Sequence, residues 1–359
     1  MHPEEWGAAS ERAWAIPTPG LVDELIRMRL ARTGERGPYE GWRFVHTMLR
    51  TALIQSARTG GRLAMHNRVC SETLQHRDRP ADAARIARMT AEGGRLTSSL
   101  AWLLRAFDHA LGVGDLQQAA SVLQRHQAAI RRLELRDQDW RRIDGWIAQA
   151  SLAWLCGEDV LRYADRAEAA SREQGLMSRL CRALHLQARV ALEAGETEKA
   201  QSLLAEAETL ARDTNATGHL AEILRDRADL AIRQDDEEGA LELLRDARRH
   251  FVEADQLAGA ATCSRAQSRL LAEEGRLGEA RGLLLYAIEQ VEVGGDLRTS
   301  ADLNAEAGDL AERNNNPDEA LRHFGLALEQ LRVVATDPRR IADIEARVSS
   351  LSESLEEST

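Results

Sequence analysis

Four columns of small or turn-forming residues recur along this chain at one constant interval of forty positions, and they limit its fold more than any other feature. Ala200, Ala240, Ala280 and Ala320 form one column; Ala167, Ala207, Ala247, Ala287 and Ala327 form a second. A third reads Ala148, Ala188, Ala228, Ser268, Gly308, and a fourth Gly195, Asp235, Gly275, Asn315. A fixed period of this size marks stacked supersecondary units, each unable to bury its apolar face alone.

The offsets within a repeat identify the unit. Counted from Ala188, the places of Gly195, Ala200 and Ala207 are +7, +12 and +19. Small residues at the first, third and fourth of these places let two antiparallel helices cross closely. The second place is a turn, where Gly, Asn and Asp tolerate a positive φ. Asn316-Pro317-Asp318-Glu319 reads as a helix start, with an N-cap, a proline in the first helical position and a capping-box acid. Ala231 falls outside the columns and is expected nearer the surface. With only seven prolines and 4% aromatic residues in 359, the expected fold class is all-α.

These spacings resemble the tetratricopeptide repeat. The match runs over 141–340 as five repeats, with a worn extra repeat before it in which Gly114-Asp115-Leu116-Gln117-Gln118-Ala119 keeps the turn-to-alanine spacing. The period exceeds the family's usual length of about 34. Leu204, Leu244 and Leu284 stand where the family often has aromatics, with Phe324 retained, and the repeat around Gly157 is short of two turn residues. The resemblance implies a right-handed superhelix of helical hairpins. It also implies a groove, lined by the first helix of each hairpin, that takes a protein or peptide. Carried onto this chain, the family's groove positions are Arg182, His185 and Arg189, then Glu222, Arg225, Asp229 and Arg233, then Arg265 and Arg269. The expected partner-binding set is Arg182, His185, Arg189, Arg225, Arg265 and Arg269, whose charge suits an acidic peptide. The plainer alternative is that these arginines pair with nearby carboxylates.

Residues 20–75 follow another pattern. Leu21, Val22, Leu25, Ile26 and Leu30 form a helical stripe. Thr33 to Gly41 is turn chemistry, and Trp42 and Phe44 alternate as in a short strand. A helix with Val45, Met48, Leu49, Leu53 and Ile54 on one face follows, then Gly60-Gly61 and a helix through Leu63, Val69 and Leu74. Helix, hairpin, helix outlines a winged-helix piece. Trp42-Arg43-Phe44-Val45-His46-Thr47-Met48-Leu49-Arg50, followed by Arg62-Leu63-Ala64-Met65-His66, resembles the winged helix of bacterial STAND-type signalling ATPases. These include maltose-activator-type regulators and ATPase-linked serine/threonine kinases. The chain thus resembles the C-terminal sensor half of such a protein. There a winged-helix histidine can face bound nucleotide, and His46 is the matching residue; the alternative is a histidine bonded within its own domain. The expected division is a lead-in at 1–18, a winged-helix-like segment at 19–80, a degenerate repeat at 81–140, five repeats at 141–340, and a capping helix with tail at 341–359.

The chemistry of an enzyme is not expected. A phosphate-binding loop needs a lysine after glycines, and the single lysine, Lys199, follows Glu196-Thr197-Glu198. His76-Arg77-Asp78 spells a kinase loop without its companions. His109, His126 and His185 stand alone in helices, read as satisfied or exposed. Cys70, Cys156, Cys181 and Cys263 form no C-x-x-C pair, which argues against a disulfide framework or zinc site and for buried, reduced thiols. Asp235-Asp236-Glu237-Glu238 suits a helix N-terminus rather than calcium. All seven tryptophans precede residue 155 and are read as core and as the seam between the winged-helix segment and the array, rather than as a stacking platform for bases. No catalytic residue, cofactor or metal is therefore expected.

The net charge of −11 is uneven. Residues 1–80 hold 12 Arg against 9 acids, or +3, and the remainder is −14. An acidic array repels nucleic acid. DNA is thus not the expected partner, and any contact with it would fall on the first segment. Two alternatives to a protein-binding sensor stay open: a DNA-binding regulator using the winged helix, and a peptide or small-molecule inducer receptor. The chain reads as having no signal peptide and no apolar run of the about 20 residues a membrane helix needs. A cytoplasmic protein is expected; its oligomeric state and partner are not legible.

Overall fold

The computed structural model describes residues 3–12, 20–33, 42–293, 297–334 and 338–357. The turn at 34–41 and the step before Pro338 lie outside them, as does Trp14; the side chain of Trp6 is likewise not described. The chain forms two compact units, Met1–Gly175 and Leu176–Thr359.

The second unit carries the repeat in its regular form. Its helices are α10 (Met177–Glu193), α11 (Thr197–Asp213), α12 (Thr217–Arg233), α13 (Glu237–Glu253), α14 (Leu257–Glu273), α15 (Leu277–Val293), α16 (Leu297–Arg313), α17 (Pro317–Val334) and α18 (Pro338–Glu357). Alternate helices begin at Met177, Thr217, Leu257 and Leu297, in step with the columns. The alanine columns are the seams. Ala200, Ala207, Ala240, Ala247, Ala280, Ala287, Ala320 and Ala327 are each fully buried. Large side chains fill between them: Leu204, Leu244 and Phe324 are fully buried as well. Where Phe324 replaces leucine, the facing column holds Gly308 in place of alanine. A Cβ on Gly308 would lie 2.6 Å from Phe324 Cε1, so the small residue is required by the large one. Ser268, in the same column, donates its hydroxyl to the Ala280 carbonyl at 2.9 Å.

Turn chemistry follows the sequence reading. Gly195, Asp235, Gly275 and Asn315 all have positive φ, between 54° and 80°. Asn316 caps α17: its Oδ1 accepts from Glu319 N–H at 3.3 Å and its amide donates to Glu319 Oε2 at 2.9 Å.

The first unit begins with α1 (Pro3–Arg12), α2 (Leu21–Arg27), β1 (Ala31–Thr33), β2 (Trp42–Phe44), α3 (Thr47–Thr59) and α4 (Leu63–Arg77). β1 and β2 pair antiparallel with Arg32 opposite Arg43. Trp42 is buried and meets Phe44 edge-on at 5.1 Å. The order of elements is that read from the sequence. After one 3-10 turn at Pro80–Asp82, α5 (Ala83–Glu92), α6 (Leu96–Gly112), α7 (Leu116–Arg132), α8 (Trp140–Cys156) and α9 (Leu161–Gln174) stack as further hairpins. Gly114 has the expected positive φ, and Ala119 the expected burial. α9 is shorter than the helices on either side of it, as the missing turn residues near Gly157 require.

Four expectations are corrected. Cys181 and Cys263 are buried, but Cys70 is half-buried and Cys156 exposed, because the last turn of α8 reaches the surface. Trp140 is 45% exposed, with Arg141 stacked 5.3 Å over its ring, so it is not core. Ala231 is buried near the end of α12 although it lies outside the columns. His126 is buried with no hydrogen-bond partner on either ring nitrogen, so it is neither satisfied nor exposed, whereas His185 is satisfied by Asp226 at 2.8 Å.

Candidate functional site

The groove residues expected from the repeat lie on α10, α12 and α14, the first helices of successive hairpins. Each offers its i, i+3 and i+7 positions on one face. The structure brings them together with carboxylates that the sequence reading left out. His185 Nε2 stands 2.8 Å from Asp226 Oδ2, and Arg189 Nε stands 3.8 Å from the same oxygen. Arg225 Nη2 lies 3.1 Å from Asp226 Oδ1. Two helices further on, Arg265 grips Glu306 with Nε at 2.8 and 2.9 Å from its two oxygens, and Arg269 joins the same carboxylate. Arg182 is half-buried and in no ion pair among the described residues.

These contacts share a register. His185–Asp226 and Arg265–Glu306 both join residues whose numbers differ by 41. The same offset recurs in two further bonds, from Arg233 to the Leu192 carbonyl and from Arg313 to the Ala272 carbonyl, the latter at 2.7 Å. One extra residue beyond the period carries each side chain to the neighbouring helix of the next hairpin. Every second repeat is alike: 185 and 265, 189 and 269, 226 and 306 play the same parts. The repeat between departs, since Ala266 stands where Asp226 and Glu306 stand in the others. Arg225 has no acid ahead of it and turns back to Asp226 on its own helix.

Electrostatics follow from the pairing. Burial opposes the Asp226 charge, but the His185 hydrogen bond and the Arg225 and Arg189 charges outweigh it and hold its pKa below the ordinary value. Glu306 is likewise depressed: burial resists, and Arg265 and Arg269 prevail. Burial lowers the Arg189 pKa, with Asp226 pulling the other way. The row is therefore interleaved in charge rather than plainly basic, with Glu222, Asp226 and Glu306 among its cations.

Beside the Arg269–Glu306 pair is a recess of about 270 Å³ between α14 and α16, lined by Ala272, Leu284, Leu310 and the Arg313 and Asp309 side chains. Among the described residues no group of His, Cys, Asp and Glu is placed to hold a metal ion. None of the described helices is long and apolar enough to cross a membrane. His46 is exposed at the start of α3, and Asp78 of the His-Arg-Asp run pairs with Arg105 at 3.2 Å.

No family model matches the chain, and no curated protein matches it in sequence. Solved structures match in fold. The apo form of RapI gives a TM-score of 0.58 at 11% identity, over 72% of this chain and 72% of that one. A Rap protein complexed with competence and sporulation factor gives 0.53 at 13% identity, over 83% of this chain and 87% of that one. A signal transduction ATPase with numerous domains, carrying a tetratricopeptide repeat sensor, from Pyrococcus horikoshii gives 0.50 at 10% identity, over 100% of this chain and 61% of that one. At such identities the likeness is one of architecture, and it agrees with the periodicity: this chain is an array of tetratricopeptide-like helical hairpins.

Proposed function

We propose that the second unit is a non-catalytic recognition module in cytoplasmic signalling, holding an acidic protein segment or peptide along α10, α12, α14 and α16. The observation that carries this is the accessibility of two guanidiniums in the row. Arg182 has no acid of its own, and Arg269 shares Glu306 with Arg265 while staying 61% exposed beside the recess. A partner carboxylate at either place meets its guanidinium without first breaking a buried pair. His185, Arg189, Arg225 and Arg265 then act by holding the row in register. The Rap protein complexed with competence and sporulation factor, and the repeat sensor of the Pyrococcus ATPase, support a peptide- or protein-sensing role for this architecture. The test is capture from native extract with wild type and with Arg182→Glu/Arg269→Glu, neither of which replaces a buried residue. Loss of the captured partner with an unchanged melting temperature is expected. Recovery of the same partner at the same salt overturns the proposal.

A second reading, duplex DNA contact through the first unit, has one observation in its favour. Between Glu40 and Glu72 there are five arginines and no acid, and α3 in that stretch buries none of its residues. A duplex shift at low salt that weakens steeply as salt rises supports it; no shift at micromolar protein removes it.

A further inference from the structure

Between α7, α8 and α9 of the first unit lies a second recess, of about 270 Å³. Four arginines line it: Arg131, Arg142, Arg162 and Arg166; no lining residue carries a carboxylate. Arg142 is committed, donating to the Leu135 carbonyl at 2.9 Å and pairing with Asp137 at 2.9 Å. Arg131, Arg162 and Arg166 are in no ion pair among the described residues. What sets them apart is that they converge on one recess with no carboxylate in its lining. Arg162 and Arg166 are one helical turn apart, a spacing at which like charges repel.

An independent observation points the same way. His126 stands in the wall of the recess, 1% exposed, and neither ring nitrogen has a hydrogen-bond partner. Buried polar groups left unpaired are rare and costly. His126 stands after Ala119 as Ala207 stands after Ala200, so it replaces the seam alanine of the regular repeats. Opposite it is Gly145, one period before His185, where a Cβ would lie 2.8 Å from His126 Cε1. A large residue for a small one and a small one for a large have been exchanged here, beside the unpaired arginines. Trp146 and Tyr163 complete the wall, with guanidiniums 5.6 and 5.5 Å from their ring centres, and Gln127 and Gln149 add neutral donors and acceptors.

We propose that this recess binds a small phosphorylated organic molecule, with Arg131, Arg162 and Arg166 on its phosphoryl groups and Gln127 and Gln149 on its hydroxyls. Guanidiniums match phosphate oxygens in geometry and charge. The recess is close to the lower end of the roughly 300–1,000 Å³ of ligand sites, so the ligand is of sugar-phosphate size. The inference does not depend on the row in the second unit, and either can fail alone.

The experiment is calorimetric titration of the full chain at fixed ionic strength with a hexose bisphosphate, inorganic pyrophosphate and citrate as separate probes. The hexose bisphosphate is expected to bind one site with Kd below about 1 mM and to change tryptophan fluorescence through Trp146. Arg131→Gln/Arg166→Gln, and separately Arg162→Gln, should weaken it about tenfold or more; all three side chains are exposed, so the fold is spared. Arg265→Gln/Arg269→Gln should leave it unchanged. Tighter binding of citrate than of either phosphate overturns the ligand class. The absence of saturable heat, an adventitious response shared equally by all three anions, or binding indifferent to the first-unit arginines overturns the site.

Discussion

His185 and Asp226 face each other across successive hairpins with 2.8 Å between Nε2 and Oδ2, one residue out of step with the period of the columns. Both are nearly buried. Arg189 and Arg225 close on the same carboxylate, so Asp226 is shared by three neighbours.

Asp226→Asn should therefore destabilise more than its single charge suggests. It leaves a histidine and two guanidiniums facing one another. Removing one partner of a buried pair costs about 3–5 kcal/mol; Arg189 and Arg225 are about a third exposed and can rehydrate, so about 2 kcal/mol is expected after that discount. Arg269→Gln, at a mostly exposed site, should stay within about 0.5 kcal/mol. Urea unfolding measures both. Equal costs would mean that burial does not set the worth of these pairs.

Ala247→Leu tests the seam. Ala247 is fully buried in α13, and overpacking of this kind costs roughly 1–3 kcal/mol. The proper control is Ala205→Leu, on the exposed side of α11, where the cost should be near zero. Ala231 does not serve, being buried as well. An unchanged melting temperature for Ala247→Leu would contradict the register of the columns.

Two buried histidines give the fold a pH dependence above the carboxylate range. Burial lowers the His126 pKa from 6.5 to about 4, against the pull of Asp144; Arg131 and Arg142, cations of the same recess, add nothing in favour of its charge. His323 is lowered by burial and then by Arg322, with Glu319 opposing. Both folded pKa values lie below the unfolded one, so the unfolded chain binds more protons as pH falls through 6.5. Stability should thus decline from pH 6.5 toward 4, by on the order of 3 kcal/mol for His126 if fully realised. Urea midpoints across that window should fall for wild type and stay flatter for His126→Asn/His323→Asn. Identical slopes would show that neither imidazole is held neutral.

The thiols should separate by position. Burial pushes Cys181 up to about 11 and Cys263 to about 12, so little thiolate forms at neutral pH. Cys156 is exposed. Brief alkylation of native protein followed by peptide mass mapping should find Cys156 modified and Cys181 and Cys263 spared until denaturant is added. Labelling of Cys263 in the native state would mean that the seam between α14 and its neighbours opens readily.

What the sequence determined by itself is the repeat. Small residues at fixed offsets and turn residues able to adopt positive φ recur because every hairpin solves one packing problem, and a periodic solution is visible without coordinates. That sufficed for the pair of helices in each repeat, the seams at Ala207 and Ala247, the turns at Gly195 and Asn315, and the set of side chains on the first helices. The tertiary structure alone decided what those side chains do. Asp226 and Glu306 meet their partners on the next hairpin, one step beyond the period. An ion pair across helices depends on rise, rotation and stagger that composition does not encode. The same holds for His126 and Gly145, whose exchange of sizes none of the four columns marks. That they fall opposite each other, beside three unpaired arginines, follows only from how α7, α8 and α9 stack.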